Sequence, residues 1–152
     1  PDFAAALFTV SAITMVLFMP VVGKLFDNIQ THYVLTIGLL INCISLLSIT
    51  FSVNEYYALI YAVFFGINNA ISMTMFGYIW PRYFGRKHLG SIQGTGQMIG
   101  VIGASLGPLP VGFAIDFIGD PLITIRYLAL YPFVISFFTI LFLKHPSSLT
   151  KN

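Results

Sequence analysis

Near-continuous apolar runs of about 20 residues recur five times along this chain, and that repetition limits its folding more than any other feature. An α-helix rises 1.5 Å per residue, so about 20 residues cross the roughly 30 Å hydrocarbon core of a bilayer. The runs cover 3–22, 33–53, 56–80, 90–115 and 127–143, and a short polar tail, 144–152, follows. Only 8% of the 152 residues are charged and 57% are hydrophobic, with a mean hydropathy of +0.89. Soluble domains carry about a quarter charged residues, so lipid is the solvent for most of this chain. A membrane β-barrel needs strands of about ten residues alternating apolar and polar, and these runs do not alternate. The expected fold class is an all-α membrane protein of five transmembrane helices. Proline and glycine inside the runs fit that reading, because neighbouring helices in a membrane satisfy the backbone groups they free.

The placement of Lys and Arg sets the orientation. Of the seven, Lys24, Arg82, Arg86, Lys87, Lys144 and Lys151 fall on one side and only Arg126 on the other. The basic side is expected to be cytoplasmic, giving a multi-pass protein of the plasma (inner) membrane whose C-terminus is cytoplasmic. Glu55, Asp116 and Asp120 collect on the opposite side, with Asp2. The chain opens on Pro1 and Asp2 rather than on Met, and it reads as a fragment of a longer protein. Its single cysteine, Cys43, lies inside an apolar run, so there is no intrachain disulfide, and no Cys/His spacing resembles a zinc site. No cofactor or metal is expected. No basic patch points to nucleic acid.

The fourth run is rich in glycine. At about 100° per residue, Gly96, Gly100, Gly103 and Gly107 fall on one narrow stripe, where missing side chains let another helix come close. That contact either packs the helix or lets it slide. Pro108 and Pro110 are expected to break or bend the helix near its outer end. Gln93 and Gln97 lie one turn apart beside the stripe, and Tyr61, Asn68 and Ser72 share a face of the third run. These five are the candidates for lining a solute cavity. Uncharged polar residues in membrane helices also serve as glue between helices, and Thr9, Ser11, Thr14, Asn42 and Ser45 are read in that plainer role. No Asp, Glu, Lys, Arg or His lies in the middle of any run, so proton relays and direct charge pairing are expected from parts of the protein outside this chain.

Two stretches carry a family resemblance. In GKLFDNIQTH, Gly23, Leu25 and Asp27 match the start of the G-x-L-x-D-R loop of the major facilitator superfamily, with Asn28 in place of the usual Arg. The stretch RYFGRKHLGSIQG, followed by a glycine-rich helix with Gly-Pro and then AIDFIGD, resembles the tenth-to-eleventh helix region of bacterial members related to monocarboxylate carriers. Together these imply helices eight to twelve of a twelve-helix major facilitator fold, most of its C-terminal six-helix bundle, with the N-terminal half of the same protein missing. Within the family the counterpart of Asp27 takes part in a cytoplasmic latch. The resemblance further implies secondary active transport of a small solute by alternating access. The absence of a charged residue in the eighth or eleventh helix departs from many monocarboxylate and oxalate carriers.

Other classes fare worse. Gly103-Ala104-Ser105-Leu106-Gly107 fits the G-x-S-x-G pattern of serine hydrolases, but a nucleophilic serine needs a base in reach. His32, His88 and His145 all lie in loops or tail, and His88 precedes Ser105 by about 25 Å along a helix. GTGQMIG is spaced G-x-G-x-x-x-G and follows no strand, so it is not a nucleotide fingerprint. The protein is read as not an enzyme. The remaining alternative is a non-transporting membrane scaffold or receptor subunit.

Overall fold

A computed structural model describes residues 2–51 and 55–143. The tail 144–152, with Lys144, His145 and Lys151, lies outside the described residues, as does 52–54, where the second run closes. Seven helices follow in order: α1 (Asp2–Asn28), α2 (Thr31–Thr50), α3 (Glu55–Phe84), α4 (Leu89–Leu106), α5 (Pro108–Ile118), α6 (Pro121–Leu128) and α7 (Leu130–Phe142). Since α4 and α5 make one crossing and α6 and α7 another, five helical stretches are long and apolar enough to span a membrane. The described residues contain no strand.

The helices outrun the apolar runs. α1 has 27 residues and α3 has 30, about 40 and 45 Å long, against roughly 30 Å of hydrocarbon. Their ends therefore reach headgroup level, where polar residues sit in a helix without penalty. Only Ile29 and Gln30 separate α1 from α2, so Gly23, Leu25 and Asp27 occupy the last turns of α1 rather than a loop. Arg82 and Tyr83 belong to α3 for the same reason. That helix ends at Gly85, whose φ of 73° suits a residue without a Cβ and whose N–H bonds the Pro81 carbonyl at 3.1 Å.

The fourth crossing is interrupted at Gly107, which keeps helical angles and hands the chain from α4 to α5. Pro108, lacking an N–H, takes the first position of α5, where that donor has no helical partner anyway. The fifth crossing starts at Pro121, not at 127. Asp120 caps it, its carboxylate accepting from the N–H groups of Leu122 (2.8 Å) and Ile123 (3.3 Å). Arg126 is therefore helical rather than in a loop, and its guanidinium lies 5.4 Å from the centre of the Phe51 ring.

The core lies where α1, α2 and α3 meet. Val22, Phe26, Val34, Ala70 and Ile71 are buried there, with Met15, Met19, Ile41, Ile67 and Met75 packed around them. α6 and α7 lie along α2, while α4 touches α3 and α5 touches α6. Neither α4 nor α5 has a buried residue. Large apolar side chains point outward, Phe117 at 93% exposure and Phe8 at 73%. In lipid that exposure is no liability, because the tails are as apolar as the side chains.

Candidate functional site

α1 and α3 approach closely along a seam of small residues. On α3, Ala62, Gly66 and Ala70 recur every four residues and all are buried. That spacing keeps three small residues on one face, where the partner backbone can come close. A Cβ on Gly66 would lie 2.5 Å from the Ser11 carbonyl oxygen and 2.8 Å from the Thr14 Cβ, so glycine is required. The hydroxyls of Ser11 and Thr14 donate within their own helix, to the carbonyls of Phe8 and Val10, each at 2.8 Å. They are satisfied there and do not cross the seam.

Above Gly66 the seam opens into a cleft of 110 Å³ lined by Leu7, Phe8, Ser11, Tyr61 and Phe65, among others. Tyr61 is half-buried in it and stacks on Phe65, ring centres 5.5 Å apart. Asn68 is half-buried and Ser72 exposed. These three lie within about 40° of each other and opposite Ala70, and of them only Tyr61 lines the cleft against α1. Gln93 is half-buried and Gln97 exposed, both on α4. α4 meets α3 at its first turns, where Gly96 abuts the Trp80 indole. Tyr61 lies about 28 Å along α3 from Trp80, so the five cavity candidates are spread over the depth of the bundle rather than gathered at one level.

The glycine stripe of the fourth crossing is mostly uncovered. Gly96 contacts Trp80, whereas a Cβ on Gly100 or Gly103 would meet nothing within 4 Å, and one on Gly107 would meet only its own helix. The crossing Leu89–Ile118 has 0% of its residues buried. Beyond Gly96 the stripe is a smooth face with no other helix against it among the described residues.

At the basic end, α1 and α3 are clasped. The Tyr78 hydroxyl donates to the Phe26 carbonyl at 2.5 Å, taking up an acceptor that the end of α1 leaves free. The Phe26 and Tyr78 rings are in contact, centres 5.0 Å apart, and the Arg82 guanidinium lies over Tyr78 at 4.9 Å. Gly23, Leu25 and Asp27 flank this clasp; Asp27 is exposed and Leu25 packs against the core.

The family model described as Major Facilitator Superfamily matches residues 1–152, the whole chain. The chain belongs to the Major Facilitator Superfamily. Searches of curated proteins and of solved structures returned no match. Membership supports a transporter function in general, and the all-helical bundle of long apolar crossings agrees with the family's membrane fold. Ser105 is exposed on α4, with His88 at the start of the same helix, so the two are separated by its length.

Two features of this superfamily chain escaped the sequence reading. The A-x-x-x-G-x-x-x-A spacing of Ala62, Gly66 and Ala70 was open to view and marks the tighter of the two small-residue stripes. The Tyr78 bond to Phe26 joins positions 52 apart, and no local pattern announces it. The eight Tyr and one Trp carried a further signal. Tyr33, Tyr56, Tyr57, Trp80 and Tyr83 lie toward the ends of crossings, where amphipathic rings settle at the membrane interface, whereas Tyr131 lies midway along the fifth.

Proposed function

We propose that this chain supplies five helices, eight to twelve, of the C-terminal bundle of a secondary transporter that moves a small solute by alternating access. The observation that carries the reading is the fourth crossing. A helix with 0% of its residues buried, a stripe of glycines along one face and two glutamines beside it is a surface made for helices outside this chain. The missing N-terminal half of the same protein would cover it. In such transporters one bundle rocks against the other around a site near the bilayer midplane. Smooth glycine contacts allow that motion, since no side chain has to disengage. Family membership favours transport over the scaffold or receptor-subunit alternative.

Tyr61, Asn68, Ser72, Gln93 and Gln97 are the groups this half would offer to the solute. All are neutral, so coupling ions and any charge pairing with the solute fall to residues elsewhere in the protein. Lys24, Arg82, Arg86 and Lys87 lie at the end of the bundle opposite Arg126, and the positive-inside rule makes that end cytoplasmic. On this reading the protein sits in the plasma (inner) membrane with its C-terminus cytoplasmic. Gly23, Leu25 and Asp27 stand at the same end, placed to form part of a latch between halves.

Uptake assays on the intact protein test this. Residues 1–152 alone in liposomes should carry no solute, and uptake by them would contradict the need for a second bundle. Alanine at Tyr61 or Gln93 in the intact protein should raise KM for the solute; unchanged kinetics at both would remove them from the cavity.

A further inference from the structure

We infer that the cleft at the end of α3, between Arg82 and Arg86, binds the phosphate of an anionic membrane lipid. The cleft measures 440 Å³ and is lined by Tyr78, Pro81, Arg82 and Arg86. One of its two cations is set in advance. Arg82 lies over the Tyr78 ring at 4.9 Å, and Tyr78 is itself fixed by its bond to Phe26. A guanidinium held in this way presents its fork of donors with little freedom left to lose, which suits an acceptor with several oxygens such as phosphate. Arg86 is exposed, on the turn after Gly85, and free to close on the same group.

The second observation is an unmet donor. The Nε of Arg82 is shut away from solvent and has no hydrogen-bond partner among the described residues. A charged donor removed from water without an acceptor is the costly arrangement, and an anion held in the cleft beside the guanidinium would offset part of that cost. Depth then decides what kind. α3 is about 45 Å long, and its last turns stand beyond the hydrocarbon at headgroup level. Trp80 and Tyr83, on the same turns of α3, are the ring types that settle at that level. Phosphate is the anion fixed at this depth, and the Tyr78 ring with Pro81 forms an apolar wall for the part of the lipid below it.

The intact protein, purified in detergent, would be titrated with phosphatidylglycerol, phosphatidylcholine and inorganic phosphate, with bound lipid counted by native mass spectrometry. Phosphatidylglycerol should be retained about tenfold over phosphatidylcholine, as expected when a charge-assisted contact is present in one and weakened in the other. Arg86→Gln should remove most of that preference. Arg82→Lys, which keeps the charge but loses the fork, should reduce it about threefold or more. Lys24→Gln, at the same end but outside the cleft, should leave it unchanged. Equal losses from Lys24→Gln and Arg86→Gln would overturn the site in favour of diffuse surface attraction. Equal retention of both lipids would overturn it too, and would assign the Arg82 donor to an acceptor from elsewhere in the protein. Protection by inorganic phosphate without lipid preference would replace the lipid with a soluble anion and overturn the lipid assignment.

Discussion

Two helices of this bundle carry stripes of small residues, and the structure treats them in opposite ways. On α3, Ala62, Gly66 and Ala70 are pressed against α1 so closely that a single added carbon at Gly66 would reach a backbone oxygen at 2.5 Å. On α4, Gly100 and Gly103 look into open space. The sequence pattern is alike in the two, and the energetic meaning is not. A filled stripe is part of what holds the chain together. An open one contributes nothing to the packing of this chain, and on the proposed reading it receives a surface supplied by another part of the protein.

Substitutions at the two stripes give the largest contrast. Gly66→Leu should destabilise the intact protein by about 3 kcal/mol or more, because overpacking a rigid seam displaces backbone rather than a flexible side chain. Loss of folded protein in detergent, read from thermal unfolding, checks it. Gly100→Leu should leave the unfolding midpoint of residues 1–152 in detergent unchanged, since a Cβ at Gly100 points into space with no atom of another helix within 4 Å. In the intact protein the same change should cut solute uptake about tenfold or more, by keeping the two bundles from meeting. Unaltered uptake would discard the proposed role of the stripe; a large loss of stability in residues 1–152 would show that it is filled from within.

The clasp at the basic end is a smaller and more local contrast between held and unheld groups. Tyr78→Phe keeps the ring against Phe26 but removes the hydroxyl from the Phe26 carbonyl. The expected loss is about 1 kcal/mol, the usual net value of one hydrogen bond, seen as a lower unfolding midpoint in the intact protein. No change would mean that the Phe26 carbonyl finds water at headgroup level.

Which residues of this fold were legible follows from the solvent. Crossing a bilayer demands long apolar runs, so the five crossings could be read directly, as could the interruption near Pro108. The helix ends could not, because a helix continues into the headgroups with polar residues such as Lys24, Asp27 and Arg82 aboard. Neither could the inward faces. In water an apolar stripe marks the buried side of a helix, but lipid is as apolar as leucine, and Phe117 can stand 93% exposed. What distinguishes inside from outside is shape. Small residues at spacing four identify faces that can be approached, as they do at Ala62, Gly66 and Ala70, without saying whether the partner lies in the same chain. The cavity candidates share that uncertainty of partner: Tyr61 finds its neighbours on α1, whereas Gln97 is exposed on α4.

The smallest effect tests whether the covered region is as complete as it looks. Ser45 on α2 is 1% exposed, and its hydroxyl has no hydrogen-bond partner among the described residues. Thr36 on the same helix is also buried, but its hydroxyl donates to the His32 carbonyl at 2.8 Å. Removing a buried group that makes no bond is neutral or slightly favourable, whereas removing one that does loses the bond. Ser45→Ala should therefore change the stability of the intact protein by no more than about 0.5 kcal/mol, and in the stabilising direction, while Thr36→Ala should cost about 1 kcal/mol. Thermal unfolding of the two variants side by side decides it. A loss at Ser45 as large as at Thr36 would mean that the rest of the protein supplies an acceptor to α2. The division between a filled region and a waiting one would then run through α2 as well as α4.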